Sequence, residues 1–280
     1  MAGRLVVVGT PIGNLEDMSP RAARALREAT AIYCEDTRRT RGLLSALGIP
    51  APRLSRLDAH TERSVAERVA DEVEAGEIVA LVSDAGMPCI SDPGADLVKV
   101  VAGRGLPTEV VPGPSAVSAA LALSGLPASQ YRFAGFLPRK GRQRSTSLAA
   151  VGSSEVTVVI YEAANRVAAT LADLLAVCGP DRSVVLAREL TKMHEEVWRG
   201  TLDEAVSRVE AIEPRGEYVM VVAAAPAVSA VVEDHDLVTA LSEKLAAGAD
   251  RKTAVAAVAA ALGVPKRRVY DLALDLREGR

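Results

Sequence analysis

The sequence predicts two consecutive α/β domains followed by a small helical region. Short apolar runs typical of buried strands alternate with helical segments up to about residue 124, and the alternation resumes after residue 125. From about residue 236 three helical segments follow one another without strands. A chain of 280 residues suffices for one large or two small domains, so we expect domains at 1–124 and 125–230 and a helix-turn-helix-like tail at 236–280.

The first domain opens on an apolar run and continues into a helix with clear start signals. Ser19 is a typical N-cap residue, and Pro20 suits the first helical position. Because helical segments separate the apolar runs, the sheet is expected to be mostly parallel. The predicted strands are 5–8, 31–34, 78–82 and 108–111, and the predicted helices are 21–29, 42–47, 61–75, 95–103 and one opening at 112–116.

The second domain is expected to follow a hinge at 125–128, where glycine and proline interrupt the pattern. Its predicted strands are 132–136, 156–161, 183–187, 195–199 and 218–223, with helices at 165–177 and 202–212. The tail is expected to contain helices at 237–247, 252–261 and 266–276, the last two forming a helix-turn-helix pair.

Composition narrows the classes of function. The net charge is −3, so contact with nucleic acid must come from local basic patches, and 3% aromatic residues argue against a long base-stacking surface. The cysteines Cys34, Cys89 and Cys178 form neither a disulfide framework nor a metal-binding spacing, which is typical of a reducing cytoplasm. No apolar run approaches the roughly 20 residues that span a bilayer, and the N-terminus lacks a signal-peptide pattern. We therefore expect a cytoplasmic protein with metal-independent chemistry.

The most informative segment is the loop at 83–94, which reads SDAGMPCISDPG and follows the apolar run 78–82. Its glycines and prolines end the strand and delay the next helix, so the chain must form a shaped loop there. Open α/β sheets bind ligands at the carboxyl ends of their strands. The loop is therefore expected to grip a cofactor with backbone groups.

Two further loops follow predicted strands, GTPIGN at 9–14 and PGPS at 112–115. The first lacks the G-x-G-x-x-G pattern and no G-K-[ST] follows it, so dinucleotide-binding and P-loop sites are excluded. Taken singly, the first loop could be an ordinary turn, and Ser115 could be a plain helix cap. Three such loops at one sheet edge together predict a composite pocket.

Two basic segments favour a polyanionic partner. Segment 139–144, RKGRQR, has four positive charges and no acid, and we expect it to project as a mobile loop that clamps phosphates. The tail is also basic, and helix-turn-helix pairs often bind nucleic acid. The alternatives are a solvated surface loop and a helix pair for dimerisation or packing. The predicted RNA-binding residues are Arg139, Lys140, Arg142, Arg144, Lys266, Arg267 and Arg268.

Six motifs in order carry a resemblance: VGTPIGNLED, EDTRRT, SDAGMPCISDPG, VPGPSA, GFLPRK and YEAANR. They resemble the tetrapyrrole methylase superfamily, the class III S-adenosylmethionine (SAM) methyltransferases, along the whole chain. They are most similar to its group of ribosomal RNA small-subunit methyltransferases. The resemblance implies two α/β domains around SAM, a homodimer, and methylation of a cytidine 2′-hydroxyl in the decoding region of 16S rRNA in the small ribosomal subunit.

The same resemblance implies cofactor contacts, residue by residue. Tetrapyrrole-modifying members have Gly-Gly-Asp-Pro where this chain has Ala85-Gly86-Met87-Pro88, which puts a tetrapyrrole substrate in doubt. The implied SAM contacts are Pro11, Asp84, Ala85, Gly86, Met87, Ile90, Ser115, Ala116, Glu162 and Leu190.

A ribose hydroxyl needs a general base, which typically adds about 10²–10⁴-fold to the rate. The candidates are Asp36, Lys140 and Glu189, each of which could instead serve in a cap, an ion pair or a phosphate contact. Neighbouring Glu35 also ends a strand, and His60 could line the substrate cleft. A tetrapyrrole C-methylase and a non-catalytic, SAM-sensing RNA-binding protein are the alternative functions.

Overall fold

The computed structural model describes residues 3–58, 62–212, 214–226 and 233–278. The chain divides into two compact units, Met1–Ala225 and Pro226–Arg280. Within these ranges, no helix combines the length and the apolar character that a bilayer crossing needs.

The first sheet of the large unit is entirely parallel. Its strands are β1 (Arg4–Val8), β2 (Ala31–Cys34), β3 (Arg53–Arg56), β4 (Ile78–Leu81) and β5 (Thr108–Val111). They lie in the order β3-β2-β4-β1-β5, and Leu5 pairs with both Val79 and Thr108. All five carboxyl ends therefore lie at one edge of the sheet.

Helices cover both faces of this sheet, which explains why its strands are continuous apolar runs. They are α1 (Pro20–Glu28), α2 (Thr37–Ala46), α3 (Glu62–Glu74) and α4 (Ala95–Gly103). The helix that follows β5, α5 (Ala116–Ser124), packs against the second sheet instead. Alternate residues of β1 enter different cores: Leu5 packs with Val69 of α3, whereas Val6 packs with Leu26 of α1. Ser19 caps α1, its hydroxyl accepting a hydrogen bond from Ala22 N at 3.0 Å.

The second sheet is mixed. It consists of β6 (Tyr131–Phe136), β7 (Thr157–Ala163), β8 (Ser183–Arg188), β9 (Glu196–Thr201) and β10 (Glu217–Val222). The order is β6-β7-β10-β8-β9, in which β6 and β7 are parallel and the other pairs are antiparallel. The helices α6 (Gly141–Gly152), α7 (Ala164–Cys178) and α8 (Leu202–Ala211) cover one face.

Helix α5 covers the opposite face of the second sheet. Its residues Val117 and Leu121 pack in one core with Val159, Val185 and Val219. The two sheets are thereby joined by buried apolar contacts within one unit, which fixes the loops of the first sheet beside the second.

The smaller unit is a cluster of three helices, α9 (Asp234–Ala246), α10 (Arg251–Leu262) and α11 (Lys266–Glu278). Its own core includes Leu237, Leu241, Val258 and Val269. Gly263 ends α10 in the left-handed conformation, with φ of 64°.

The α/β class and its helical tail are confirmed, and the differences from the sequence prediction have physical causes. Strand β3 was missed because its end residues are exposed and its two middle residues are only half-buried, so it gives no apolar run. Helix α2 begins five residues early because Asp36 caps it. The predicted mobile loop at 139–144 is wrong, since Gly141 begins α6, whose buried residues Leu148 and Val151 are too few to form a recognisable stripe. The domain boundaries at 124/125 and 230 stay predictions.

Candidate functional site

A cleft of about 440 Å³ lies between the carboxyl edge of the first sheet and the second sheet. The first sheet contributes the loops after β1, β2, β4 and β5. The second sheet contributes the end of β6, parts of β7 and β10, and the loop after β8. The loops that the sequence predicted to form a pocket therefore meet in this cleft, and the second sheet forms its other wall.

Glycines let the first-sheet loops approach each other closely. A Cβ at Gly9 would lie 2.6 Å from the backbone of Gly113 and 2.7 Å from the sulfur of Met87. Thr10 N donates a hydrogen bond to the carbonyl oxygen of Gly86 at 2.9 Å. Backbone from three loops thus meets at one point, which no larger residue at Gly9 or Gly113 would permit.

The backbone is strained on both sides of the cleft. Within the described ranges, the non-glycine residues with φ in the left-handed region are Cys89 (68°), Ser91 (67°), Glu189 (50°) and Thr191 (65°). Such residues cost about 1–3 kcal/mol each and persist where the surrounding structure fixes them. The surrounding structure therefore holds the loops at 83–94 and 189–192 in conformations that a plain connection would avoid.

The loop after β8 is fixed by ion pairs and by contact with the first loop. Glu189 accepts hydrogen bonds from Glu217 N at 2.9 Å and from Lys192 Nζ at 3.0 Å. Lys192 Nζ also donates to Glu217 Oε2 at 2.7 Å. A Cβ at Gly13 would lie 2.4 Å from Lys192 Cγ and 2.8 Å from Thr191 Oγ1. The two walls of the cleft therefore touch at its end.

Most of the predicted cofactor contacts meet in this cleft. Pro11 does not line it, but its neighbour Ile12 does. The side chain of Glu162 is buried and accepts a hydrogen bond from Thr170 Oγ1 at 2.6 Å, so that carboxylate is already occupied. The predicted residues that line the cleft are Asp84, Ala85, Gly86, Met87, Ile90, Ser115, Ala116, Glu162 and Leu190.

The predicted catalytic residues are poorly suited to act as a base. Asp36 caps α2, and hydrogen bonds from Arg38 lower its pKa to about 2. Burial raises the pKa of Glu189, but hydrogen bonds from Glu217 N and Lys192 outweigh it and leave that pKa below its ordinary value. Lys140 is exposed, and neither Asp36 nor Lys140 lines the cleft. Of the three, only Glu189 reaches the site, already paired with Lys192.

A different carboxylate, Asp92, was not among the catalytic residues predicted from the sequence. It lines the cleft beside Glu35 and Asp84 and is half-buried. Burial, followed by the charges of Glu35 and Asp84, raises the pKa of Asp92 to about 6, although a hydrogen bond with Ser83 acts in the opposite direction. No cation pairs with Asp92 among the described residues. Because Asp92 lies at the end of the predicted ligand-binding loop 83–94, the sequence could have identified it as a site candidate.

The basic segment divides into anchored and free residues. Arg144 donates to Asp173 Oδ2 at 2.8 Å, to the Pro138 carbonyl at 3.0 Å and to Thr170 Oγ1 at 3.1 Å. These contacts occupy its guanidinium. The predicted contact between Arg144 and RNA remains untested, but the geometry disfavours it. Arg139, Lys140 and Arg142, by contrast, are exposed.

The basic residues of the tail also differ in their surroundings. Lys266 and Arg267 are exposed at the start of α11, whereas Arg268 donates a hydrogen bond to Asp234 Oδ1 at 2.7 Å. The described residues contain no cluster of three or more His, Cys, Asp or Glu side chains that could hold a metal ion. His60 lies outside the described residues.

A family model described as Tetrapyrrole (Corrin/Porphyrin) Methylases matches residues 4–206. A Synechocystis protein named Ribosomal RNA small subunit methyltransferase I is 40% identical over 275 residues, which cover 98% of each chain. A Thermotoga maritima protein of that name is 45% identical over 219 residues, covering 78% of this chain and 97% of its own.

Among solved structures, uroporphyrin-III C-methyl transferase from Thermus thermophilus, complexed with S-adenyl homocysteine, covers 79% of this chain and 97% of its own, with a TM-score of 0.54. At 21% identity this likeness shows the shared fold alone. The family model and the two relatives show more: the chain belongs to the tetrapyrrole methylase family and, within it, to the group named ribosomal RNA small subunit methyltransferase I.

Proposed function

We propose that this protein uses S-adenosylmethionine to methylate the 2′-hydroxyl of a cytidine ribose in the decoding region of 16S rRNA. The observation that carries the proposal is its full-length likeness to relatives named for methylation of small-subunit ribosomal RNA. The cytidine and its 2′-oxygen rest on the motif resemblance. Exposed basic residues beside the cleft and in the tail support a nucleic-acid substrate.

The residues of the cleft fit SAM. The volume of about 440 Å³ lies within the range of small-molecule pockets. Glu35, Asp84 and Asp92 bring negative charge to a ligand that carries a positive sulfonium. By the motif resemblance, the backbone of Ala85, Gly86 and Met87 would hold its amino-acid end. When bound, SAM supplies the electrophilic methyl group.

We propose Asp92 as the general base, in place of Asp36, Lys140 and Glu189. An unpaired carboxylate in the cleft can accept the proton of the ribose hydroxyl as the oxygen attacks, and its half-buried position lets that proton pass to solvent afterwards. The left-handed residues Cys89 and Ser91 immediately before it fix the loop that presents it. A base already committed to an ion pair, as Glu189 is, would first have to break it.

We also propose a cytoplasmic homodimer. Large apolar side chains remain exposed on the large unit, including Val110, Leu123, Ile212 and Met193, the last of them 94% exposed. The cysteines Cys34, Cys89 and Cys178 are free, which supports a reducing compartment. Light scattering of the purified protein would test the dimer directly.

The decisive test supplies tritium-labelled SAM with one of three acceptors: small ribosomal subunits lacking the modification, free 16S rRNA, or precorrins. Nuclease digestion and mass spectrometry then locate the methyl group. We expect 2′-O-methylcytidine in the RNA of at least one ribosomal acceptor. Transfer to a precorrin or to a base carbon would refute the proposal, and SAM binding without turnover on any acceptor would favour a SAM sensor.

A further inference from the structure

A second cleft, of about 870 Å³, opens beside the first, and the two share Phe136 and Ala163 in their linings. Phe136 is 55% exposed, although the protein has only two phenylalanines. The ring of Phe136 lies at the boundary between the proposed cofactor cleft and the second cleft. It can therefore contact a ligand in either cleft.

A β-bulge turns Phe136 toward this boundary. In the pairing of β6 with β7, Phe133 lies opposite Val159 but Gly135 lies opposite Ile160, so Ala134 is the extra residue. On a regular strand, residues separated by three positions in the sequence point their side chains to opposite faces of the sheet. The extra residue puts Phe136 on the same face as Phe133, and bulges next to active sites commonly redirect side chains in this way.

Tyr161 holds both phenylalanine rings. Its ring centroid lies 4.9 Å from that of Phe133 and 5.6 Å from that of Phe136, both in edge-to-face geometry. Gly135, with φ of 61°, completes the bulge, and a Cβ there would lie 3.2 Å from Ser91 Oγ. Phe136 is therefore a positioned ring rather than a stray surface residue.

The second cleft offers a nucleic-acid backbone one cation that has no ion-pair partner among the described residues. Its cations are Arg139, Arg144 and Arg166, and Asp173 is its acid. Asp173 pairs with Arg144, and Arg166 is bound to the Leu137 carbonyl at 2.7 Å. Within the described ranges Arg139 is exposed and has no ion-pair partner, so its guanidinium remains available to a phosphate.

We propose that Phe136 stacks on the base of the target nucleotide, and that the cleft beside Arg139 takes the adjoining phosphate of the unpaired strand. The inference rests on the proposed RNA methylation. Aromatic side chains bind unpaired bases by stacking, and enzymes that act on nucleotides within structured nucleic acid commonly extrude them. Stacking beside the cleft would hold the ribose at the mouth of the cofactor site.

The test uses the full-length protein with Phe136→Ala and Phe136→Trp. Methyl transfer to small subunits or rRNA gives kcat/KM, and calorimetry gives the Kd for SAM. We expect Phe136→Ala to lower kcat/KM for RNA about tenfold to a hundredfold, with the SAM Kd changed less than about threefold. Phe136→Trp should retain most of the activity because indole also stacks.

The matched control is Tyr131→Ala, which removes an exposed aromatic residue from the other end of the same strand and outside both clefts. It should leave kcat/KM unchanged. An equal loss of SAM affinity in Phe136→Ala would place the ring in the cofactor site and overturn the inference. Unchanged kcat/KM in Phe136→Ala would also overturn it. If wild type methylates no ribose, the proposed function itself fails, so the two failures are distinguishable.

Discussion

The two sheets line the same cleft with different chemistry. The first contributes backbone brought together at Gly9, Gly86 and Gly113, and carboxylates such as Asp92. The second contributes aromatic rings, Phe136 among them. Cations lie beside Phe136 in the adjoining cleft. Negative charge suits a sulfonium and a departing proton, whereas rings and cations suit bases and phosphates.

We propose a division of labour in which the first sheet makes most of the contacts with the cofactor and the second sheet receives the RNA. The separation is incomplete, since Lys192 and Glu217 of the second wall also border the cofactor cleft. Substitutions on the two sides should therefore separate into effects on SAM binding or chemistry and effects on RNA binding.

The largest expected effect is on the first side, at Asp92. Asp92→Asn removes the proposed base while keeping its size, so kcat should fall about 10²–10⁴-fold, with SAM affinity changed much less. For wild type, kcat/KM should rise with pH through about 6, where the pKa of Asp92 lies, and level off above it. Single-turnover assays from pH 5 to 8 provide the measurement.

Asp96→Asn is the matched control, because Asp96 lies four residues further along the chain and is exposed. It should leave the rate and its pH profile intact. A full-rate Asp92→Asn enzyme would return the search for the base to Glu35 or Glu189.

The same substitution should stabilise the protein. The pKa of Asp92 is raised from 3.8 to about 6, so the folded state holds the proton more tightly than the unfolded chain. The stability from this proton is therefore present below about pH 4 and lost as pH rises through 6. Because the carboxylate is only half-buried, we expect Asp92→Asn to add about 1 kcal/mol at pH 7.5 and nearly nothing at pH 3.5. Denaturant unfolding at both pH values would show it.

The conformation of the loops in the first sheet was easier to predict from the sequence than the roles of individual side chains. Glycine and proline in the 83–94 loop specify conformation locally, so Gly86 and its neighbours could be placed without a structure. The roles of Asp36 and Asp92 could not be separated this way, because a cap and a half-buried carboxylate differ only in tertiary surroundings. Phe136 was missed because the bulge at Ala134 breaks the strand alternation on which sequence analysis depends.

The next effect concerns the close approach of the first-sheet loops. Gly9→Ala would put a methyl group 2.6 Å from the Gly113 backbone, so the loops must separate. We expect the free energy of unfolding to fall by about 1–3 kcal/mol and the affinity for SAM to weaken at least about tenfold. Denaturant unfolding measures the first quantity and calorimetry the second.

Gly42→Ala serves as its control, since Gly42 lies inside α2 and a methyl group added there would meet nothing within 4 Å. Replacing glycine within a helix should stabilise by about 0.5–1 kcal/mol and leave SAM affinity unchanged. Equal behaviour of the two variants would mean that the loops tolerate separation.

On the second side, adjacent basic residues should behave differently. Arg144→Gln breaks hydrogen bonds to Asp173 and the Pro138 carbonyl, so stability should fall by about 1–3 kcal/mol. Arg142→Gln alters an exposed residue and should change stability by less than about 0.5 kcal/mol while weakening RNA binding. Thermal unfolding and filter binding separate the two outcomes. Weakened RNA binding without lost stability in Arg144→Gln would restore the original prediction for that residue.

The smallest effect is expected in the tail. The Thermotoga relative aligns over 219 residues, 97% of its length, so the alignment is shorter than the unit Met1–Ala225. We propose that an RNA contact in the tail assists binding and takes no part in the chemistry. Replacing Lys266 and Arg267 with alanine should weaken RNA binding about threefold to tenfold and make its salt dependence less steep by about 1–2 in slope. Lys99→Ala, an exposed cation in α4, should do neither. Unchanged RNA affinity with a dissociated dimer would instead assign the tail to assembly.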